Sequence, residues 1–195
     1  MNRMSMTLGY RGILSSGIAI RWLCAGVLLL ASNSMATTRL VYLTLKSRDF
    51  SPGGEVPLRF RYPRCGGRNI SPQLSWSVPP SPTRSLVLTM VDVDVQPSQW
   101  SHWVVVDLPA RTLSLDQGMQ VLPGKARQVT SNFGDKVYAG PCPPQGTGVH
   151  RYQFSIWAMP TAMTSVAPSE KASDLLRRLE RTSIAHASAI GWVRR

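Results

Sequence analysis

Apolar residues recur in several short stretches of the chain, as expected for β-strands, and in residues 151–156 apolar and polar residues alternate as in a half-buried strand. Turn residues separate these stretches, which are LVYLTL (40–45), VPLRF (56–60), SLVLTMVDV (85–93), WVVVDL (103–108) and RYQFSIWAM (151–159). Many short strands joined by turns favour a β-sandwich. The sequence therefore predicts a mainly β fold.

One helix is predicted near the carboxyl end. Ser169 is placed to cap it, and apolar residues follow at helical spacing: Ala172, Leu175, Leu176 and Leu179. Those apolar side chains are expected to pack in the core. Residues 62–84, which are dense in Pro, Gly and Ser, predict ordered irregular loops, and residues 110–140 predict a long surface loop.

The amino-terminal residues have the composition of an export signal. Residues 1–21 carry three arginines and no acidic residue, and they precede the apolar run WLCAGVLLLA and then SNSMA, which ends at Ala36. We predict a signal peptide over residues 1–36 and a single domain over residues 37–195, located in the periplasm or secreted. An uncleaved anchor is the alternative, although the run is short for a membrane span.

The chain is basic, with a formal net charge of +12. Removing residues 1–36 removes three of the 22 basic residues and none of the 10 acidic ones, which leaves about +9. A basic exported protein can meet anionic lipid head groups, phosphorylated ligands or acidic partners, although charge also serves solubility. Peripheral membrane contact therefore stays open. Nucleic-acid binding is not predicted, because the sequence has no zinc-finger or helix-turn-helix pattern and no basic run interleaved with aromatic residues.

Cysteine use agrees with export. Cys24 leaves with the signal peptide, and the remaining pair, Cys65 and Cys142, suits an oxidising compartment. We predict a disulfide between them, worth about 4 kcal/mol in the chain-entropy account. Two buried thiols are the alternative. Metal binding by this pair is not expected, since neither belongs to a Cys-x-x-Cys motif.

Polar residues stand at the ends of three apolar strand faces. Residues two apart share a face, which gives three stripes: Leu86, Leu88, Met90 and Asp92; His102, Val104, Val106 and Leu108; His150, Tyr152, Phe154 and Ile156. Asp92 ends its strand, whereas His102 and His150 begin theirs. We expect these three polar residues to meet at one sheet edge and line a shallow pocket.

Such a pocket suits a phosphate-like anion. A carboxylate that accepts a hydrogen bond from a histidine favours the protonated ring, whose other nitrogen can then donate to an anion. Backbone N–H groups at Gly146, Gly148 and the turn around Gly140, together with the Tyr152 hydroxyl, could complete the cradle. Affinity is then expected to fall as pH rises through the imidazole range near 6.5.

Other interpretations of the same residues remain open. Asp92 could cap a turn, His102 could be a core histidine and His150 could simply begin a strand. The same three side chains could hold zinc. A hydrolase would use Ser71 or Ser101 as nucleophile with a histidine as base, but no Gly-x-Ser-x-Gly motif accompanies either serine.

Four motifs in order resemble the phosphatidylethanolamine-binding protein family, especially its bacterial Raf-kinase-inhibitor-like branch. They are CGGRNISPQLSW, LTMVDVDVQP, SHWVVVDLP and AGPCPPQGTGVHRYQFSIWAM, and the closing IAHASAIGWVRR resembles the family's carboxyl-terminal helix and tail. The resemblance covers roughly residues 40–195. It implies a β-sandwich with a large central antiparallel sheet, a smaller sheet and a C-terminal helix.

The resemblance also implies an anion pocket and its residues. The family's two aspartates fall on Asp92 and Asp94, although Val93 replaces the proline between them, and the two histidines and the tyrosine fall on His102, His150 and Tyr152. The candidate ligand-binding residues are Asp92, His102, Gly140, Pro141, His150 and Tyr152. The candidates for supporting positions are Asp94, Trp103 and Gly148.

Together these features predict an exported, non-catalytic binding protein for a small phosphorylated or anionic ligand, such as a phospholipid head group. No metal or cofactor is expected. The alternative is a protein-interaction module that inhibits a protease or kinase or engages a host target.

Overall fold

The structure, a computed structural model, describes residues 42–167 and 170–195. Within these residues the chain forms eight strands: β1 (Leu45–Lys46), β2 (Leu74–Trp76), β3 (Ser85–Asp92), β4 (Trp100–Pro109), β5 (Ser114–Leu115), β6 (Arg127–Gln128), β7 (Val149–Met159) and β8 (Ala185–Arg194). It also forms one α-helix, α1 (Ala172–Thr182), and two short 3-10 turns, Leu58–Phe60 and Pro63–Cys65. The predicted signal peptide lies outside the described residues.

The strands form two antiparallel sheets. The smaller sheet has the order β1-β2-β5, and the larger has the order β6-β4-β3-β7-β8. The predicted fold class, a mainly β protein with a large central sheet, a smaller sheet and a helix near the carboxyl end, is confirmed.

The large sheet is buried on both faces. One apolar cluster fills the space between the two sheets, with Leu74 and Leu115 from the smaller sheet against Leu88 and Phe154 from the larger. A second cluster packs the opposite face of the large sheet against α1. Because β3 runs through the middle of this arrangement, all eight of its residues are buried.

The helix forms where its apolar spacing predicts. Leu175, Leu176 and Leu179 are buried against the large sheet. Ser169 lies outside the described residues, and the N-cap position is Lys171, whose side chain makes no capping hydrogen bond. No helix in the described ranges is long and apolar enough to cross a membrane.

Two segments differ from the predicted strands and loops. The predicted strand over residues 56–60 is absent, and Leu58–Phe60 form a 3-10 turn, since Pro57 has no N–H for a sheet and its carbonyl accepts from the Phe60 N–H at 3.0 Å. Of the first predicted strand, residues 40–45, only Leu45 belongs to β1, residues 42–44 form no strand, and residues 40 and 41 lie outside the described residues. The stretches 62–84 and 110–140, which predict loops, contain the short strands β2, β5 and β6.

The carboxyl-terminal segment is a strand, so the expectation of a helix and tail there is wrong. β8 pairs with β7 along ten residues of each strand. Its inward positions carry small residues, and Gly191 is one of them because an added Cβ would lie 2.6 Å from Val56. Close packing thus requires small side chains on this edge strand.

The prediction that His102, Val104, Val106 and Leu108 share one face of β4 is also wrong. Val104 and Val106 face α1, whereas Leu108 lies between the two sheets. The pairing register of β3 with β4 shifts twice, and at each shift β4 contributes one extra residue. Each such bulge reverses the alternation of faces, and His102 is the extra residue at one of them.

Candidate functional site

A cavity of about 290 Å³ opens beside the end of β3, where β4 and β7 begin. Three predicted site residues line it: Asp92, His102 and Tyr152. The remaining lining residues come mainly from loops, and they are Arg64, Val95, Trp100, Phe133, Cys142, Pro143 and Pro144. We call this cavity the Asp92 pocket. The structure therefore brings the acid, one histidine and the tyrosine together, as the sequence predicts.

His150 supports the pocket from behind Asp92. Its Nδ1–H donates to Asp92 Oδ2 at 2.7 Å, and both side chains are buried. Its Nε2 lies 2.9 Å from Thr147 Oγ1. Both ring nitrogens thus have partners within the protein. In this arrangement His150 positions Asp92 and is not free to donate to a ligand, which corrects the role predicted for it.

Asp92 also shapes the turn that follows β3. Its Oδ1 accepts the N–H of Asp94 at 3.0 Å, the side-chain cap of a turn. Asp94 itself accepts bonds from the Arg151 guanidinium, which lowers the pKa of that carboxyl. Asp94 is absent from the residues that line the Asp92 pocket, so it holds the adjoining loop.

His102 presents one defined nitrogen to the pocket. Its Nδ1–H donates to the Ala139 carbonyl at 2.8 Å, and its ring packs against Phe133 and Tyr152. Burial lowers the pKa of His102 to about 4, against the weaker opposing effect of the Ala139 bond. The ring is therefore neutral at physiological pH, and Nε2 is an acceptor. The predicted protonated donor is not supported at this residue.

Tyr152 supplies the donor that the histidines do not. Its side chain is fully buried, and its hydroxyl has no hydrogen-bond partner among the described residues. Burial, then the negative charge of nearby Asp92 and a contact of the hydroxyl with that carboxylate, raise the pKa of this phenol, so it keeps its proton. The contact does not have the geometry of a hydrogen bond, so the hydroxyl is left without a full partner. A buried hydroxyl without a partner is costly, and a ligand oxygen would satisfy it.

The glycine and proline candidates do not reach the pocket as predicted. The Gly140 N–H donates to Asn69 Oδ1 at 2.7 Å, and the Pro141 carbonyl accepts from the Tyr62 N–H at 3.1 Å. The Gly146 N–H donates to the Arg195 carbonyl at 3.3 Å. Two of the backbone donors expected for an anion are therefore occupied by other protein groups.

Two supporting candidates also lie elsewhere. Gly148 precedes β7 and is not among the lining residues of the Asp92 pocket. Trp103 lines a different cavity, where its indole N–H donates to Gln128 Oε1 at 2.7 Å. His102 and Trp103 are thus consecutive residues of β4 whose side chains line different cavities.

Cys65 and Cys142 form a disulfide across 77 residues of sequence. Cys142 lines the Asp92 pocket, and so does Arg64, the neighbour of Cys65. Sequence reasoning missed Arg64, although its position beside a paired cysteine was a signal that it lies near the 139–148 loop. Arg64 is exposed and places a cation at the pocket.

The alternative chemistries find little geometric support in the described residues. Ser101 Oγ donates to Asn132 Oδ1 at 2.7 Å, and neither Ser101 nor Ser71 bonds to a histidine there. Residues 42–167 and 170–195 contain no group of three His, Cys, Asp or Glu side chains placed to hold a metal ion.

Comparison with known proteins decides the family. The family model described as phosphatidylethanolamine-binding protein matches residues 46–194. The chain belongs to the phosphatidylethanolamine-binding protein family. The resemblance predicted from the four sequence motifs is thus confirmed.

Relatives in the phosphatidylethanolamine-binding protein family span bacteria and archaea. A protein of Methanothermobacter thermautotrophicus named UPF0098 protein is 35% identical over 156 residues, which cover 78% of this chain and 99% of the relative. The crystal structure of Escherichia coli YbcL, described as a new member of the mammalian family, has a TM-score of 0.72 at 30% identity and covers 78% of this chain and 98% of that one. A Mycobacterium tuberculosis relative, LppC, whose name includes the word lipoprotein, is 34% identical over 62% of this chain and 57% of its own length.

Proposed function

We propose that the protein is an exported, non-catalytic binding protein whose Asp92 pocket takes a small phosphorylated ligand, such as phosphorylethanolamine, the monoester that corresponds to a phospholipid head group. The observation that carries the proposal is the buried Tyr152 hydroxyl, which lines the pocket without a hydrogen-bond partner among the described residues. Buried hydroxyls are normally satisfied, so the pocket offers a donor for a ligand oxygen.

The pocket combines donors with one acceptor. Tyr152 donates, Arg64 adds a cation, and His102 Nε2 accepts because its Nδ1–H is committed to Ala139. A phosphate monoester in its singly charged form matches this set, since it has oxygens that accept and one P–OH that donates. A phosphate diester has no such hydrogen and would leave His102 unsatisfied. The proposed ligand class is therefore the monoester.

Asp92 favours a singly charged ligand over a doubly charged one. Its carboxylate would repel an anion, but both oxygens already accept hydrogen bonds, from the His150 ring and the Asp94 N–H. These donors reduce the repulsion without removing it. A second negative charge on the phosphate would meet that remaining charge while also losing the hydrogen that His102 accepts.

The pocket lacks an activated nucleophile, which supports a binding role. Among the described residues, the Thr147 hydroxyl makes a hydrogen bond with a histidine, with Oγ1 2.9 Å from His150 Nε2. Its hydroxyl also lies 2.7 Å from the Pro144 carbonyl, so that carbonyl competes with the ring for the one hydroxyl hydrogen. Thr147 is also not among the residues that line the Asp92 pocket.

Export is supported by three separate features. The amino-terminal sequence has the order of a signal peptide, the mature cysteines form a disulfide, and the name of the relative LppC includes the word lipoprotein. The periplasm or the exterior is the proposed location. Labelling of intact cells with a membrane-impermeant reagent would test it, and protection of the protein in spheroplasts would contradict it.

We would test the pocket by NMR, following the imidazole resonances of the protein while phosphorylethanolamine is added. Phosphorylethanolamine is expected to shift the His102 signals saturably. Tyr152→Phe should weaken binding about tenfold, because it removes a buried hydrogen bond to a charged group. Tyr42→Phe is the matched control, since Tyr42 is exposed. No shift at His102, or equal affinities for both variants, would contradict the proposal.

The second candidate, a module that engages a protein target, rests on the rim of the pocket. Trp100 is 38% exposed and contacts Phe133 edge-to-face, which presents aromatic surface to a partner. Inhibition of a protease or kinase that is lost in Trp100→Ala and kept in Tyr152→Phe would favour this candidate over ligand binding.

A further inference from the structure

A second cavity, of about 500 Å³, lies apart from the Asp92 pocket. The two share no lining residue. Asn69 and Tyr138 belong to the lining of this second cavity, and the Asn69 amide donates to the Tyr138 carbonyl at 3.0 Å. We call it the Ser71 cavity. It is larger than the Asp92 pocket and has a different set of polar groups.

Ser71 is the first sign that the cavity receives a ligand. Its side chain lines the cavity although the residue is only 5% exposed, and its hydroxyl makes no hydrogen bond in the part of the chain that the structure describes. Gln128 adds a second such group. Its Oε1 accepts from the Trp103 indole, which fixes the carboxamide, while its NH₂ has no partner among the described residues. Both groups are available to a polar molecule.

The lining has carboxamides and one cation but no carboxylate. Gln117 and Gln120 line the same cavity as Gln128, and one N–H of the Gln120 carboxamide donates to the Gly118 carbonyl, which leaves its oxygen as an acceptor. Arg68 lines the cavity, is exposed, and has no ion pair within residues 42–167 and 170–195. Carboxamides pair with hydroxyl groups in both directions, and a guanidinium pairs with a carboxylate.

The walls are formed by backbone hydrogen bonds. The Gly118 N–H donates to the Ser71 carbonyl at 2.9 Å, which joins the turn after β5 to the segment before β2. Ile70 and Met119 supply apolar surface to the lining. A pre-formed site with an apolar wall and several oriented polar groups suits a ring molecule with both C–H and O–H surfaces.

We propose that the Ser71 cavity binds a sugar acid, a small molecule with several hydroxyl groups and one carboxylate. Arg68 pairs with the carboxylate, and Ser71 and the glutamine side chains bond to the hydroxyls. A phosphate ion fits less well, because it cannot supply the several donors that the free carboxamide oxygens accept. This site is independent of the function proposed for the Asp92 pocket.

The test is an NMR titration of the protein with sodium D-glucuronate. The Trp103 indole N–H resonance is monitored, and its loss in Trp103→Phe identifies it. We expect saturable shifts of this signal and of the Gln128 carboxamide. D-glucose, the neutral counterpart, should bind about tenfold more weakly. Arg68→Met should weaken glucuronate binding to the level of glucose and leave glucose binding unchanged. Arg181→Met, an exposed arginine of α1, is the matched control.

Three results would overturn the assignment. The first is the absence of saturable shifts, and the second is equal affinity for glucose and glucuronate. The third is displacement of glucuronate by phosphorylethanolamine at the concentration that fills the Asp92 pocket, since the two ligands would then share one site. Ser71→Ala checks that the ligand enters the cavity and does not only pair with Arg68 at the surface. This variant should weaken the binding of both glucose and glucuronate about fivefold.

Discussion

His102 Nδ1–H donates to the Ala139 carbonyl at 2.8 Å, and this bond decides what the ring offers to the Asp92 pocket. The other nitrogen, Nε2, is left to face the cavity as an acceptor. Because the ring is buried between Phe133 and Tyr152, it resists protonation there. The chemistry of the pocket is therefore that of a neutral histidine beside a protonated tyrosine.

Acid should destabilise the protein through His102. Its pKa is about 4 in the folded state and near 6.5 when exposed, so the unfolded chain binds more protons between these values. Stability is expected to rise with pH from 4 to 6.5, with a total effect of about 3 kcal/mol. Urea unfolding at several pH values measures it. His102→Gln should flatten this part of the profile, whereas His186→Gln, at an exposed histidine, should not. An unchanged profile in His102→Gln would contradict the assignment.

Ligand affinity should follow the ionisation of the ligand and not that of the protein. Phosphate monoesters lose their second proton near pH 6, and with it the hydrogen that His102 Nε2 accepts. The affinity for phosphorylethanolamine is expected to fall about tenfold between pH 5 and 7.5. A phosphate diester, glycerophosphoethanolamine, should bind more weakly and with constant affinity over that range. Calorimetric titration of both esters at four pH values measures how the affinity of each depends on pH.

A decline for both esters would instead indicate a histidine that must be protonated to bind. That result would restore the donor role that the sequence predicts for the rings and would contradict the neutral His102 in the pocket.

Tyr152 is expected to contribute to binding at the expense of stability. Its buried hydroxyl lacks a partner in the described part of the chain, so Tyr152→Phe should raise the free energy of unfolding by about 1 kcal/mol while it weakens ligand binding. Tyr138→Phe is the matched control for stability, since the Tyr138 hydroxyl donates to the Phe60 carbonyl at 2.9 Å and its loss should destabilise. Urea unfolding without ligand measures both. A loss of stability in Tyr152→Phe would show that its hydroxyl is satisfied.

The long strands β3 and β7 could be predicted from the sequence, and they carry much of the site. Alternation places Met90 and Asp92 of β3, and Tyr152 and Phe154 of β7, on one face, and the structure pairs them directly across the two strands. β8 gave no such signal, because its inward residues are mostly alanine and glycine. Weak hydrophobic contrast is the physical reason for that error.

The chemistry of the histidines could not be predicted in the same way. His102 occupies a bulge, and a bulge depends on how β3 and β4 pair, not on the local sequence. The free nitrogen of the ring depends on Ala139, which is 37 residues away. Arg64 reaches the pocket from another loop. Such contacts between distant segments determine protonation and access, whereas periodicity determines only which face a residue occupies.

The disulfide should matter for the pocket as well as for stability. It joins the turn that carries Arg64 to the loop that carries Pro143, and both of these residues line the pocket. In Cys65→Ser/Cys142→Ser the free energy of unfolding should fall by about 4 kcal/mol, because the unfolded chain regains the freedom of a long closed loop. The affinity for phosphorylethanolamine should also fall. It is measured at pH 5, at a temperature where the variant remains folded.

The control is Arg64→Gln, which removes the cation and leaves the disulfide intact. If the disulfide acts on binding by placing Arg64, adding Arg64→Gln to the double serine variant should cost less affinity than the same change costs in the wild type. Full additivity of the two effects would contradict this coupling. The disulfide would then stabilise the fold without positioning the cation at the pocket.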